Sequence, residues 1–233
     1  MSAGQSDLAD VMSRVARTLQ APKDVDETLR LISRTARETI PGVDFSSISV
    51  RHGNGRLETL APSAAVVSRA DDLQYELGEG PCVEALGAAK SILVGDVGHD
   101  ERWPAYGPKA AALGIGSQMA VQLNTEDATL GALNLYAAAR EAFGGDALRY
   151  ASVFAAHAAT AMASASELAH LNEALRTRKL IGQAIGVVME RYQLNEDRAF
   201  GYLVRVSQVS NTKLRLVAEE LIGNANERRR IKG

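Results

Sequence analysis

Cysteine is nearly absent: Cys82 is the only one in 233 residues. One thiol excludes an intramolecular disulfide and leaves no cysteine-based zinc site to build. It suits a reducing compartment, so the cytoplasm is the expected location. No run of about 18 apolar residues occurs, so no membrane-spanning helix is expected. The Ala-rich stretch around Phe154 comes nearest, but His157, Thr160 and several serines interrupt it. The first residues are polar and helix-patterned, without the apolar core of a signal peptide. The four histidines are scattered, with no HxxxH or HxH spacing, so no metal is expected. P-loop and GxSxG motifs are missing, as is a paired-carboxylate arrangement. The expectation is a protein that is not an enzyme and carries no cofactor.

The elements that are present change period along the chain. Leu8, Val11, Met12, Val15 and Leu19 recur at helical spacing up to Pro22. Val25, Leu29, Ile32 and Ile40 share the face of a second helix that stops at Pro41-Gly42. Around residues 46–50 the period becomes two, and Gly53-Asn54-Gly55 turns the chain into a strand over 56–60. A short helix with Pro81 at its first position fits 82–88, and a buried strand fits 91–97. A helical stretch follows at 108–113. Segments 118–124 and 129–137 flank the polar turn Thr125-Glu126-Asp127 as a hairpin, and Asp146 opens a long helix. This order predicts an α+β fold, an antiparallel sheet with helices packed on one side.

Charge divides the chain. Residues 168–233 hold 12 basic and 7 acidic side chains, whereas the first 167 hold 14 and 21. A basic tail on an acidic body points to a polyanion, although a charged face is also what any solvated helix shows. The tail reads as three helices. Ile181, Ala184, Ile185, Val188 and Tyr192 form one inner face, and Ala199, Phe200, Leu203 and Val206 a second. Asn195 caps the second helix, Ser210 or Asn211 the third, and Leu214, Val217, Ala218 and Leu221 complete the core. Upstream, Phe154, Ala158, Ala161, Ala165, Leu168, Asn172 and Leu175 step by four and three. Such a heptad predicts a connecting helix whose Leu168, Asn172 and Leu175 meet a second helix, that of another subunit being the expected partner.

Three motifs carry a resemblance: YELGEGPC at 75–82, DERWP at 100–104 and GALNLYAAAREAF at 131–143. Through them residues 8–165 resemble a GAF-type sensory domain, of the actinobacterial kind joined to ANTAR domains. Residues 181–222 resemble an ANTAR domain through the spacing of Gly186, Met189, Tyr192, Ala199, Leu203, Ser207, Lys213 and Ala218. The resemblance implies a GAF-like domain over 1–165. It is followed over 166–233 by a connecting helix and an all-α three-helix bundle. It also implies binding of paired RNA stem–loops in leader transcripts, where the bound form prevents a terminator hairpin. Candidate RNA contacts are Arg178, Lys179, Gln183, Gly186, Tyr192, Arg205, Gln208, Lys213 and Arg215. Arg and Lys can hold phosphate, Arg and Tyr can stack on loop bases, and Gln can read base edges. Ile185 stands where many relatives carry a basic residue. No receiver domain precedes the helices. Docking of a protein partner and reading of duplex DNA by the same tail stay open.

For the sensory half, a small-molecule or redox signal is expected. Cys82, at a helix start, is a candidate for a thiol of lowered pKa, with a buried core residue as the alternative. His99 and Trp103 lie in a neighbouring Gly-flanked loop. The NKxnFx3DE signature of cyclic-nucleotide GAF domains is missing.

Overall fold

A computed structural model describes residues 3–19, 24–87, 90–126 and 128–232. Pro22, Ala88 and Asp127, which figure in the sequence reading, lie outside the described residues. Two compact units are present, Met1–Leu168 and Ala169–Gly233.

The first unit is built on a five-stranded antiparallel sheet. Its strands are β1 (Phe45–Arg51), β2 (Leu57–Leu60), β3 (Ser91–Val94), β4 (Ser117–Asn124) and β5 (Thr129–Ala137), in the order β2-β1-β5-β4-β3. Alternation along each strand makes two different faces. Ile48, Met119, Val121, Leu123, Leu133 and Leu135 point to one of them. There they meet α1 (Ala3–Leu19) and α2 (Val25–Thr39). The start of α6 (Gly145–Tyr192) joins them through Phe154, Ala155, Ala158 and Ala159. Helix α2 begins where Asp24 accepts the Glu27 N–H at 2.7 Å, a cap that contributes about 1 kcal/mol. Leu29, Ile32 and Ala36 then face the sheet.

The opposite face is covered as well. Helices α3 (Ala65–Leu77), α4 (Pro81–Gly87) and α5 (Gly107–Ala112) close over it, with Val67, Ala70, Ala85, Trp103, Tyr106 and Ala110 in a second core. Helices on one side only, as the element order suggested, is therefore corrected to helices on both. The reason is α3, which the sequence reading passed over. Its buried positions are Val67, Ala70, Asp71 and Gln74, and the two polar members hide the apolar stripe.

The second unit takes the remainder of α6, a continuous helix of 48 residues, with α7 (Glu196–Ser210) and α8 (Leu214–Lys232). Gln193, with a φ of 53°, turns the chain out of α6. Asn195 then accepts the Arg198 N–H at 3.0 Å and starts α7. Asn211 is left-handed and closes the C-terminus of α7, rather than opening α8 as an N-cap. Ala184, Val188, Ala199, Leu203, Val217 and Ala218 form the buried core. Phe200, expected inside, is 44% exposed, because it lies a quarter-turn from Ala199 and Leu203.

Candidate sensory cluster and nucleic-acid interface

Beneath α3 and α4 the sheet presents hydroxyls and amides instead of hydrocarbon. Ser47 and Ser49 of β1, Thr59 of β2, and Asn134 and Tyr136 of β5 point to this side, and all but Thr59 are fully buried. Strand pairing places Ser47 opposite Asn134 and Ser49 opposite Thr59. Asp71 is aimed into this group from α3. One carboxylate oxygen accepts Ser47 Oγ at 2.7 Å and Thr59 Oγ1 at 3.0 Å. The other accepts the Tyr136 hydroxyl, with Asn134 Nδ2 at 3.4 Å. No Lys, Arg or His pairs with it among the described residues. Burial pushes the Asp71 carboxyl up to about 6, against the pull of the Tyr136, Ser47 and Thr59 hydrogen bonds.

Tyr75 extends the network. Its hydroxyl lies 2.5 Å from Ser49 Oγ and 2.9 Å from Thr59 Oγ1. Burial and then the Asp71 charge push it above the usual phenol range. Cys82 closes the other end, donating from Sγ to Ser49 Oγ at 3.0 Å and from its backbone N–H to Gln74 Oε1 at 2.8 Å. The Gln74 side chain lies so close to Gly80 that a Cβ there would sit 2.5 Å from its Oε1, and the Gly80 φ is 123°. Hence the glycine in YELGEGPC. Gly131 has an equivalent reason: a Cβ would meet Ser49 O at 2.3 Å. Two side-chain atoms here are buried without a partner among the described residues, Asn134 Oδ1 and Gln118 Nε2.

The low-pKa thiol is corrected. Cys82 is fully buried, and burial, followed by the Asp71 charge, pushes it up to about 12. Any help from the short helix α4 is outweighed, and no thiolate forms at neutral pH. Nor do the three sensor candidates converge. His99 pairs with Asp96 at 3.0 Å on the surface. Trp103 is buried in the second core under the Arg102 guanidinium, 4.3 Å from the ring, and Arg102 is itself held by Asp100 at 2.7 Å. DERWP is thus a structural clasp. Sequence reasoning missed Asp71, Gln74, Tyr75, Asn134 and Tyr136. The available signal was polarity at core positions: Asp71 and Gln74 continue the stripe of Val67 and Ala70, and Asn134 breaks an apolar run in β5.

In the second unit Lys179, Gln183 and Gly186 stand at i, i+4 and i+7 on the outer face of α6, and all are exposed. Among the described residues nothing lies within 4 Å of a Cβ built on Gly186, so no described helix crosses there. Arg205 and Gln208 are exposed neighbours on α7, and Lys213 is exposed in the turn before α8. Arg178 is exposed on the shoulder of α6 beside Ile181 and Ile185. Ile185 packs against the three-helix core. Arg215 is less free than expected, lying 3.4 Å from Glu173 and 3.5 Å from Glu219. Tyr192 is half-exposed, its ring 5.2 Å from that of Tyr202. Leu168, Asn172 and Leu175 are exposed on α6.

A family model described as "GAF domain" matches residues 22–163. The chain belongs to the GAF domain family. A second model, "ANTAR domain", matches residues 169–222, so the GAF domain is followed by an ANTAR domain. ANTAR domains bind RNA in transcription antitermination, and this pairing is that of a sensor with an RNA-binding output. No curated protein matches the chain in sequence. Solved structures share the fold. The GAF domain of an Acinetobacter phosphoenolpyruvate-protein phosphotransferase is 16% identical with a TM-score of 0.55, covering 73% of this chain and 99% of its own. A Stigmatella aurantiaca phytochrome photosensory core module is 12% identical with a TM-score of 0.58, covering 85% and 44%. A free methionine-R-sulfoxide reductase from Neisseria meningitidis, in complex with its substrate, is 13% identical with a TM-score of 0.52, covering 72% and 95%. Among the described residues no helix is long and apolar enough to cross a membrane. Nor do three His, Cys, Asp or Glu side chains gather there into a metal-binding group.

Proposed function

We propose that the chain is a cytoplasmic, non-enzymatic regulator that grips tandem RNA stem–loops through its ANTAR domain, under control of a small-molecule signal at its GAF domain. One observation carries this reading. The ANTAR match coincides with a three-helix unit whose exposed residues include Arg178, Lys179, Gln183, Arg205, Gln208 and Lys213. Basic side chains neutralise phosphates, and glutamines can hydrogen-bond the edges of unpaired loop bases. Two stem–loops call for two such units. The exposed Leu168, Leu171 and Leu175 of α6 support a homodimer, in which these side chains would leave water. The Asp71 cluster supports a polar signal, because Asn134 Oδ1 and Gln118 Nε2 hold unused hydrogen-bonding capacity in a buried place.

Gel-shift titration of the full-length protein tests the reading, with a tandem-hairpin leader against the same RNA with scrambled loops. A clear preference for the intact loops is expected, and equal affinity for both would sink it. Arg205→Ala and Lys213→Ala should each weaken binding and each lower the salt dependence by about one counterion. Both residues are exposed, so the helical signal in circular dichroism should not change.

A second reading, docking of a protein partner, is favoured by a groove on the ANTAR unit. Ile181, Gly182, Ile185 and Phe200 line it, with Arg178 and Glu196 at the rim. Phe200→Ser tests the second reading: it should abolish a protein complex and leave RNA binding unchanged, and a complex that survives the substitution would overturn that reading.

A further inference from the structure

Helix α2 carries Arg30, Arg34 and Arg37 at spacings of four and three, which sets their side chains along one stripe. Carboxylates stand at pairing distance along the same helix, with Asp26 four residues before Arg30 and Glu38 four after Arg34. Neither pair forms. Among the described residues Arg30 and Arg34 make no ion pair and no side-chain hydrogen bond. Both guanidinium-bearing side chains instead line a cleft with Arg37, closed by Ser33, Ala61, Pro62 and Ser63. Among the described residues no carboxylate lines it.

The cleft is held in place. Arg37 Nε donates to Asp44 O at 3.0 Å, which fixes one edge of its fork. Ser63 N donates to Ser46 O at 2.9 Å, and Ser63 Oγ accepts the Ser46 N–H at 2.9 Å, so the loop is fastened to β1 on both sides. Ala61 has a φ of 47°, a strained value for a residue with a Cβ, and it begins the Ala61-Pro62-Ser63 wall. Because Ser63 Oγ is used as an acceptor, its own proton remains available as a donor.

We propose that this cleft binds the phosphoryl group of a small phosphorylated metabolite. Guanidinium forks match phosphate oxygens with two parallel hydrogen bonds, and three of them beside a hydroxyl supply the donors that a dianion needs. Three like charges on one stripe repel each other, and an anion between them removes that cost. The cleft, about 480 Å³ and open to solvent on one side, has room for more than a bare oxyanion.

The experiment is a calorimetric titration of the full-length protein with inorganic phosphate, pyrophosphate and a nucleoside monophosphate at constant ionic strength. Saturable binding is expected, tightest for the organic phosphate. Arg34→Gln should weaken it by roughly tenfold or more, and Arg34→Lys, which keeps the charge but loses the fork, by less. Arg149→Gln, an exposed change on α6, should leave it unchanged. All these side chains are exposed, so the variants should fold. No saturable binding of any probe overturns the proposal, as does equal binding by Arg34→Gln. It is also overturned, in favour of an RNA backbone contact, if Arg34→Gln weakens hairpin binding while the small phosphates do not bind.

Discussion

Replacing Asp71 by Asn is expected to remove a stability slope between about pH 4 and pH 6. In the folded protein the carboxyl titrates at about 6, and the reference value is 3.8. Between those values the folded state keeps a proton that the unfolded chain has released. Stability contributed by this group is therefore full below the unfolded value and falls as pH rises through the folded one. A difference of roughly two units corresponds to about 3 kcal/mol. Asparagine cannot titrate, so the stability of the wild type relative to Asp71→Asn should fall by about that amount across the window. Urea unfolding of both proteins at a series of pH values measures it. A difference that does not change with pH would mean that Asp71 is already ionised throughout.

Leu203→Ala is expected to cost about 3 kcal/mol and to abolish RNA binding. Half of the buried core residues of the ANTAR unit are alanines: Ala184, Ala199 and Ala218. Leu203 is the largest fully buried side chain of this core, so its truncation leaves a cavity in the middle of the unit. A three-helix unit of this size has little stability to spare. Trp103, the only tryptophan, lies in the GAF domain and reports on that domain alone. Its thermal fluorescence transition should stay in place while a helical transition followed by circular dichroism moves down. Equal shifts in both signals would show that the two units unfold together.

The strands were placed well where turn residues bound them, although the one expected over 91–97 stops at Val94 and Val97 starts a short 3-10 turn. Segments expected at 118–124 and 129–137 fold as Ser117–Asn124 and Thr129–Ala137. The heptad of small and apolar residues likewise marked the long helix correctly, beginning one residue before Asp146. Helix α3 escaped because Asp71 and Gln74 occupy its inner face, where a periodicity argument looks for hydrocarbon. The same two residues anchor the polar cluster, so the missed element and the missed site have one cause. Cys82 was noticed for its place at a helix start, but the burial that decides its chemistry comes from β1 and β5, distant in sequence. In the ANTAR unit the basic residues were legible singly. That Arg215 is engaged by Glu173 depends on α8 returning to α6, which no local pattern encodes.

The sealed position of Cys82 also gives the protein an internal clock for its own breathing. A thiol reagent cannot reach Sγ while α4 lies on the sheet, and no second cysteine competes for the label. With reclosing faster than labelling, the labelling rate divided by that of the denatured chain is the equilibrium constant for opening of α4, and its logarithm gives the free energy of that local opening. A signal molecule that tightens the polar cluster should slow the labelling, so occupancy of the sensory domain becomes readable from chemistry at a single sulfur.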